Sequence, residues 1–537
     1  GLPLYGGQAS SLGLLQVPPS DLGQVEIIKG SASALYGGQA LGGVINLVSK
    51  RPGNDAEGEI IANATTRDGQ DLSIYAASPL GRGWSGSFLT GYHRQSDQDL
   101  DSDTWIDMPG YERVQVRPRL FYDGPNDLSV YMTVGAMEED RRGGTADAGV
   151  VADGEPFAQD QDTRRLDAGF VLERPVSSWG FGQFRASGTR QSHDHRFGDL
   201  LEIDQHRTAL IEASLASDSA TTSWVAGLAY QADAYDSETF PAFDYSYDVP
   251  AIFAALDKDL APDVSIAASV RWDDHSEYGD QFSPRLSLLY RPGPWTIRAS
   301  WGGGFYAPTP FIEETEAAGL SRLEPLGGLN AETAETLSVD VAYVDGALET
   351  GLTLFGSDIE DAVQSQTVAA DSVRLVNQDG VTRTRGIEAL LRWRRAPYVV
   401  TASYLYLDTS EPAGGVPGRR AVPLTPRHSA GIVAMWEQHD RGRIGLELYY
   451  TGTQPLADNP YRNESEPYLH IGLLGEVVLG RFRLFLNLEN LLDVRQTRDD
   501  PLVLPSRSPV GLWTVDAWAP LEGFIANAGF RVSLGED

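Results

Sequence analysis

Apolar and polar residues alternate along most of this chain, and this two-residue period is the feature that most constrains its fold. The segment RFRLFLNLEN at 481–490 shows the period clearly, and the segments 295–301, 398–406 and 443–450 repeat it. Successive side chains of a β-strand point to opposite faces, so each segment predicts a strand with one buried face. No run of 18 apolar residues occurs, so any membrane span has to be built from strands.

The connections between the predicted strands alternate in length. We expect about 22 strands after residue 56, an even number within the range of bacterial outer-membrane barrels. Tight turns are predicted at 80–83, 124–127, 292–294, 345–346, 438–440 and 479–480. Long connections are predicted near 96–110, 142–161, 305–332, 362–382, 411–425 and 491–523. Short turns at one rim and long loops at the other favour a membrane barrel over a soluble sandwich. The predicted fold class is therefore all-β, a 22-stranded antiparallel transmembrane β-barrel.

The composition excludes several functions. The formal net charge of −33 argues against nucleic acid as a partner, because such binding depends on Lys and Arg neutralising phosphates. The absence of cysteine excludes a disulfide scaffold and Cys-ligated metal sites. We find no G-x-S-x-G, H-E-x-x-H or P-loop motif, so we expect no enzymatic activity, with a barrel hydrolase as the alternative.

One segment carries a recognisable signature. Residues 25–52 read VEIIKGSASALYGGQALGGVINLVSKRP, which resembles the end of the plug domain in TonB-dependent outer-membrane receptors of the siderophore-receptor type. Segments such as 384–388 and 487–493 resemble the barrel of the same family, so the resemblance covers nearly the whole chain. It implies the C-terminal half of a plug in residues 1–55, inside the lumen of a barrel formed by residues 56–537. The family has a TonB box and the other plug half upstream, and we expect both in the native protein.

The resemblance also implies which residues join the plug to the barrel. In the family, the charges at the positions of Glu26 and Lys29 contact charges of the barrel wall, and the alternative is a local surface ion pair. Glycines in this segment permit tight turns and close backbone approach in a crowded lumen. The plug signature and its barrel contacts are assigned to Glu26, Lys29, Gly30, Tyr36, Gly37, Gly42, Gly43 and Asn46.

The implied function is TonB-dependent uptake of a scarce ligand through the outer membrane of a Gram-negative bacterium. A ferric siderophore or similar chelate would bind to the extracellular loops and the plug apex. Aromatic rings and guanidinium groups of the loops suit an anionic chelate, with loop packing as their alternative role. These candidates are Trp105, Tyr111, Arg141, Arg142, Phe305, Tyr306, Phe311 and Arg322. Receptors for cobalamin, another metal complex or a carbohydrate remain alternatives, as does a transport-inactive receptor barrel.

The expected partners follow from the same resemblance. They are outer-membrane lipid and lipopolysaccharide, the ligand, and TonB with ExbB and ExbD if the full N-terminus is present. We expect no nucleic acid partner, and we expect the receptor to be a monomer.

Two groups of residues suggest metal ions, although no cofactor is required. Asp97, Asp99, Asp101 and Asp103, with Asp107 nearby, have a spacing that suits a structural Ca²⁺, and a solvated acidic loop is the alternative. His193 and His195, with His206 further along, suggest a metal or haem contact, and ordinary polar histidines are the alternative. Haem is disfavoured, because the family places a His after the box at 305–308 and residues 309–331 contain none.

Overall fold

The computed structural model describes residues 2, 17–30, 37, 38, 40–176, 180–414 and 417–535. Within these residues, 22 long strands pair antiparallel with their neighbours and close into one barrel. The last strand pairs with the first, with Asn527 opposite Thr65 and Leu534 opposite Gly58. The predicted 22-stranded barrel is confirmed.

Two strands precede the barrel, β1 (Leu22–Lys29) and β2 (Gly43–Ser49). The first eleven barrel strands are β3 (Glu57–Thr65), β4 (Gln70–Gly81), β5 (Trp84–Gln95), β6 (Gly110–Asp123), β7 (Ser129–Arg142), β8 (Gln159–Pro175), β9 (Phe181–Phe197), β10 (Leu200–Asp218), β11 (Thr222–Ser237), β12 (Tyr245–Ala261) and β13 (Val264–His275). The next four are β14 (Gly279–Tyr290), β15 (Trp295–Tyr306), β16 (Glu332–Asp345) and β17 (Leu348–Glu360).

A loop hairpin follows, formed by β18 (Val363–Ala369) and β19 (Ser372–Asn377). The barrel continues with β20 (Thr382–Arg395) and β21 (Tyr398–Pro412), and the short β22 (Arg419–Arg420) pairs with the end of β21. The remaining barrel strands are β23 (His428–Gln438), β24 (Gly442–Thr451), β25 (Tyr468–Leu479), β26 (Phe482–Glu489) and β27 (Ile525–Leu534). One α-helix, α1 (Glu313–Ala318), and 3-10 turns at Pro19–Asp21, Pro125–Asp127, Pro241–Phe243 and Gln496–Arg498 complete the described elements.

The two rims of the barrel differ as predicted. Connections such as 82–83, 262–263 and 346–347 at one rim are tight, and both ends of the barrel lie at this rim. The opposite rim has long loops at 96–109, 143–158, 307–331, 361–381, 452–467 and 490–524. The structure also places short connections at this loop rim, at 66–69, 198–199, 238–244 and 276–278, beside the predicted long loops.

The two faces of the barrel wall have opposite chemistry. On β6, Arg113 and Arg119 are 5% and 4% exposed, whereas Val114 and Leu120 are 48% and 41% exposed. Polar side chains are therefore buried towards the lumen, and apolar side chains are exposed on the outside. A water-soluble protein would show the reverse, whereas a lipid-facing barrel requires this arrangement. Among the described residues, no helix has the length and apolar character needed to cross a membrane.

Aromatic residues lie at the tight-turn rim of the apolar belt. Trp84 packs against Tyr122 next to the turn 82–83, and Trp295 packs against Tyr343 next to the turn 346–347, each pair with ring centroids 4.8 Å apart. Rings with an apolar body and a polar edge suit the headgroup level of a membrane.

The long loops have apolar cores of their own. The first loop core joins buried residues from three loops and the end of β9, namely Trp105, Val151, Phe157, Phe197, Leu502, Leu504, Trp513 and Val515. The second loop core is formed by Tyr235, Phe243, Phe311, Leu320, Leu323, Val373 and Leu375. Burial of these side chains orders the loops into a cap on one side of the barrel.

Candidate functional site

The hairpin formed by β1 and β2 lies inside the barrel, where its residues bond to lumen-facing side chains. Its antiparallel register places Glu26 opposite Asn46. The predicted domain boundary, between residues 55 and 56, falls in the segment 50–56 that leads from β2 to the first barrel strand. The described residues between 17 and 49 are therefore part of the plug of this barrel.

The strongest described contact between plug and wall joins Asp21 to Arg119. Both carboxylate oxygens of Asp21 accept hydrogen bonds of 2.6 Å from the guanidinium of Arg119 on β6. The side chains are only 4% and 3% exposed. Paired bonds between a guanidinium and a carboxylate are strong and directional, so this ion pair fixes the base of the hairpin.

Glu26 and Lys29, the two charges predicted to contact the barrel wall, have different partners in the structure. Lys29 Nζ donates to Glu388 on β20 at 2.6 Å, with 68% of the lysine side chain exposed. Glu26 instead accepts hydrogen bonds from Gln24 and Asn46 within the plug. The structure therefore gives Lys29 a wall contact and corrects the expectation for Glu26, whose described hydrogen bonds remain inside the hairpin.

Two plug glycines are required by close contacts. At Gly43, φ is +124° and a Cβ would lie 2.5 Å from the Ile28 carbonyl oxygen. At Gly38, a Cβ would lie 2.4 Å from the ring of Phe305. Any larger residue would strain the backbone or displace its neighbour at these positions.

The other predicted plug residues lie along the same hairpin and its apex. Gly30 faces Thr336 and Gly37 faces Arg271, both on the barrel wall, while a Cβ at Gly42 would meet open space. Asn46 donates to Glu26 at 2.8 Å. Tyr36 lies outside the described residues.

The lumen wall around the plug is lined by buried ion pairs. These include Arg113–Glu139 at 2.7 Å, Arg117–Asp167 at 2.6 Å, Arg185–Glu212 at 2.7 Å and Arg271–Asp273 at 2.8 Å. Buried charges are tolerated only when paired, and the alternation of polar positions along neighbouring strands supplies the partners. The result is a polar bore around a polar plug.

The predicted ligand residues of the loops occupy three kinds of position. Trp105 and Phe311 are buried in the two loop cores, and Phe305 is 2% exposed beside Gly38, so the structure gives these three a packing role. The alternative role, loop packing, therefore applies to these three residues. Their predicted role as ligand contacts is corrected.

The remaining predicted ligand residues lie closer to the surface. The ring of Tyr111 lies under the guanidinium groups of Arg113 and Arg141, at 5.2 Å and 5.5 Å, and is half-buried. Tyr306 and Arg322 are also half-buried, whereas Arg142 is exposed at the end of β7. Among the eight loop candidates, only Arg142 is fully available to a ligand in this conformation.

The aspartate loop folds into a compact acidic group. Carboxylate oxygens of Asp99, Asp101 and Asp107 lie within 4.8 Å of one another, while Asp97 and Asp103 are not in this group. Asp107 is 6% exposed; one oxygen accepts a bond of 2.7 Å from Leu100 N, and Oδ1 has no partner among the described residues. Burial, together with the charges of Asp101 and its acidic neighbours, raises the pKa of Asp103 and of Asp107 to about 6.

The fold and the site define a class of protein, namely outer-membrane receptors with a plugged barrel. Comparison with protein families agrees. Residues 110–491 match the model of the TonB dependent receptor-like β-barrel, and residues 1–44 match that of the TonB-dependent receptor plug domain. The chain belongs to the TonB-dependent receptor family. Members of this family are transporters and receptors, and they are not enzymes.

Proteins of similar sequence include both an iron-regulated protein and a cobalamin transporter. The chain is 22% identical over 479 residues to an iron-regulated outer membrane virulence protein of Vibrio cholerae serotype O1, covering 83% of this chain and 71% of that protein. It is 25% identical over 468 residues to the vitamin B12 transporter BtuB of the same species, covering 84% and 71%.

Solved structures show the same fold. The siderophore receptor PirA from Acinetobacter baumannii aligns with a TM-score of 0.78 and 15% identity, covering 96% of this chain and 86% of that one. A variant of the ferric enterobactin receptor PfeA from Pseudomonas aeruginosa aligns with a TM-score of 0.78 and 16% identity, with the same coverage. At these identities, the likeness concerns the fold alone.

Proposed function

We propose that this chain is an outer-membrane receptor for TonB-dependent uptake of a ferric siderophore or similar metal chelate. The observation that carries the proposal is a plug fastened inside a closed barrel by the buried Asp21–Arg119 pair. A ligand crosses such a barrel only if the plug moves or rearranges. The plug is then a two-state element whose equilibrium an energised partner shifts.

The setting of the receptor follows from the same features. The exposed apolar belt is solvated by outer-membrane lipid, with lipopolysaccharide around the loop rim. TonB, energised by ExbB and ExbD, acts on the plug from the rim of tight turns. A single closed barrel leaves no strand edge for pairing with another chain, and we propose that the receptor functions as a monomer.

The ligand binds between the loop rim and the plug apex. Arg142 is exposed at this rim, and the plug apex near Gly42 borders open space. A guanidinium recognises an anionic chelate by charge-assisted hydrogen bonds. The choice of iron follows the names of the siderophore receptors and of the iron-regulated relative, and the cobalamin transporter among the relatives is the alternative that the uptake assay tests.

Radiolabelled uptake tests this proposal directly. The receptor, expressed from its complete reading frame in a strain that lacks its own receptors, is offered ferric catecholates, ferric hydroxamates and cyanocobalamin. Uptake of a ferric chelate that disappears without TonB is the expected result. Uptake of cyanocobalamin alone overturns the iron assignment, and uptake of none of the ligands indicates a transport-inactive barrel. Native mass spectrometry of receptor from iron-starved and iron-replete cells identifies the bound chelate.

We further propose that a structural Ca²⁺ binds Asp99, Asp101 and Asp107 and orders the loop 96–109, with Asp103 as a neighbouring charge. The support is the buried Oδ1 of Asp107, which has no hydrogen-bond partner among the described residues. Oxygens of Asp99, Asp101 and Asp107 also lie within 4.8 Å of one another. Carboxylate oxygens are the preferred ligands of Ca²⁺, and the ion would offset the repulsion among them. Asp97 takes no part in this proposal.

The raised pKa values predict how the loop responds to pH. The folded loop holds protons on Asp103 and Asp107 up to a pKa of about 6, above the ordinary value of 3.8, so its stability falls as pH rises from 4 to 6. Without Ca²⁺, we expect hydrogen exchange in 97–107, corrected for intrinsic rate, to be faster at pH 7 than at pH 5. Adding Ca²⁺ at pH 7 should restore protection, and its affinity should fall below pH 6 as protons compete.

The variant Asp107→Asn serves as the test of this assignment, since it removes the charge while keeping the shape. It should lose the calcium response, whereas Asp97→Asn should keep it. Equal exchange with and without Ca²⁺ in the parent protein would show that the loop is only a solvated acidic surface.

A further inference from the structure

A second cluster of metal-ligand residues lies on the lumen face of the barrel wall. His193 and His195 are two residues apart on β9 and therefore share one face, and Asp204 on β10 is directly opposite His193. Their side chains are 2%, 14% and 3% exposed. Neighbouring strands thus place two imidazoles and one carboxylate together in a buried position, a set that neither strand provides alone.

The distances leave one nitrogen without a bond. His193 Nδ1 lies 2.8 Å from Asp204 Oδ1, which is hydrogen-bond distance. His195 Nε2 lies 3.9 Å from Asp204 Oδ2, too far for a hydrogen bond, and has no partner in the part of the chain that the structure describes. A buried imidazole nitrogen without a partner is unfavourable, so this position calls for a ligand.

A metal ion suits this gap. Bonds from zinc to imidazole nitrogen or carboxylate oxygen are each about 2.0–2.2 Å, so an ion between two such atoms holds them about 3.4–4 Å apart. The distance of 3.9 Å from His195 Nε2 to Asp204 Oδ2 falls in this range. One donor atom of His193, His195 and Asp204 each lies within 4.8 Å of the other two.

We infer that His193, His195 and Asp204 bind a divalent first-row transition metal ion such as Zn²⁺. Two nitrogens and one carboxylate oxygen match this class of ion rather than Ca²⁺ or Mg²⁺, which prefer oxygen ligands alone. Three protein ligands leave a fourth position for water or for a donor from a passing ligand. The inference concerns an uncomplexed ion and goes beyond the proposed uptake of a chelate.

Neighbouring residues orient the ligands. The ring of Phe197 is stacked parallel to that of His195, with centroids 6.1 Å apart. Gln191 Nε2 lies 2.8 Å from His193 Nε2. When the ion binds Nδ1 of His193, the ring proton moves to Nε2, where rotation of the Gln191 amide presents its oxygen as the acceptor.

The position of the site connects it to a long loop. Glu202 is directly opposite His195 and accepts a hydrogen bond of 2.9 Å from the backbone N–H of Leu320. Leu320 belongs to the second loop core and to the segment 307–331. The bound ion would therefore tie β9 to β10 directly beneath the base of this loop.

Zinc binding by the purified, metal-stripped receptor in detergent tests the inference. Equilibrium dialysis followed by elemental analysis should find one Zn²⁺ per chain. His195→Ala and Asp204→Asn should each weaken binding at least about tenfold, as expected for loss of a metal ligand. His206→Ala is the matched control, because His206 is a buried histidine of the same wall that pairs with Asp233 outside the cluster.

The outcome is decisive in either direction. The inference is overturned if the parent protein binds no more zinc than a variant combining His193→Ala, His195→Ala and Asp204→Asn. It is also overturned if His206→Ala loses as much zinc affinity as the variants of the cluster. Heat-modifiable migration in gels checks that each variant forms a barrel. If a variant fails to fold, X-ray absorption spectroscopy of the zinc-loaded parent protein replaces that variant. Two imidazoles in the first coordination shell of the zinc support the site, and the absence of imidazole from that shell contradicts it. Failure here leaves the uptake assay unaffected, since that assay uses a preformed chelate.

Discussion

Replacing Asp21 by alanine should release the base of the plug from the barrel wall. The guanidinium of Arg119, 3% exposed, would lose both hydrogen bonds of 2.6 Å and remain buried without its partner. Removing one member of a buried pair costs about 3–5 kcal/mol, because the remaining charge is uncompensated. We expect larger and more frequent ion-conducting openings in planar bilayers, and unfolding of the plug at lower urea concentration, monitored by a spin label on β2.

The plug offers a matched control for this experiment. Lys29→Ala removes an ion pair of the same 2.6 Å length, but 68% of the lysine side chain is exposed. Exposed pairs contribute about 0–1 kcal/mol, so this variant should behave almost like the parent protein. The double variant Asp21→Ala with Arg119→Ala should lose less than the sum of the two single variants. If Asp21→Ala and Lys29→Ala shift the urea midpoint equally, the buried pair is not the main fastening.

Replacing Leu286 by arginine should destabilise the barrel in a manner that depends on membrane depth. Leu286 is 46% exposed on the outer face of β14, opposite Ala268 on one neighbouring strand and Trp301 on the other. It lies midway between Phe282 and Tyr290, which are exposed apolar residues of the same face, and therefore near the middle of the apolar belt. An arginine near the bilayer midplane of a barrel costs about 2–4 kcal/mol, measured by reversible urea unfolding in lipid vesicles.

The control lies on the same face at the rim. Leu479, 56% exposed, is the last residue of β25 beside a tight turn, so Leu479→Arg should cost only about 0–1 kcal/mol. If the order of the two variants is reversed, the apolar belt is not centred where the structure places it. If neither variant has an effect, the exposed apolar face does not contact lipid.

Sequence patterns predict the wall of this protein well and its contacts poorly. The alternation in 481–490 appears in the structure as β26 with its neighbours, and the glycine-rich signature appears as the plug hairpin. Asp21, by contrast, has no feature in the sequence that distinguishes it from the many other acidic residues. Its partner Arg119 is 98 positions away, and only closure of the barrel brings the two together.

The same limit explains the loop residues. Trp105 and Phe311 have the chemistry of ligand contacts, yet they are buried in the two loop cores. Aromatic side chains serve both roles, and burial depends on which loops meet above the barrel. The histidine cluster is an intermediate case, since the pattern H-x-H places two rings on one face but does not identify Asp204 as the third member.

The period of two, the unequal connections and the plug signature determine the strands, the closed ring and the family, because each depends on local backbone geometry or on a contiguous motif. Which charges are paired, which aromatic rings are buried and which donors face an open position depend on strand register and loop packing. Those are relations between residues far apart in the chain, and they exist only after the barrel has closed around its plug.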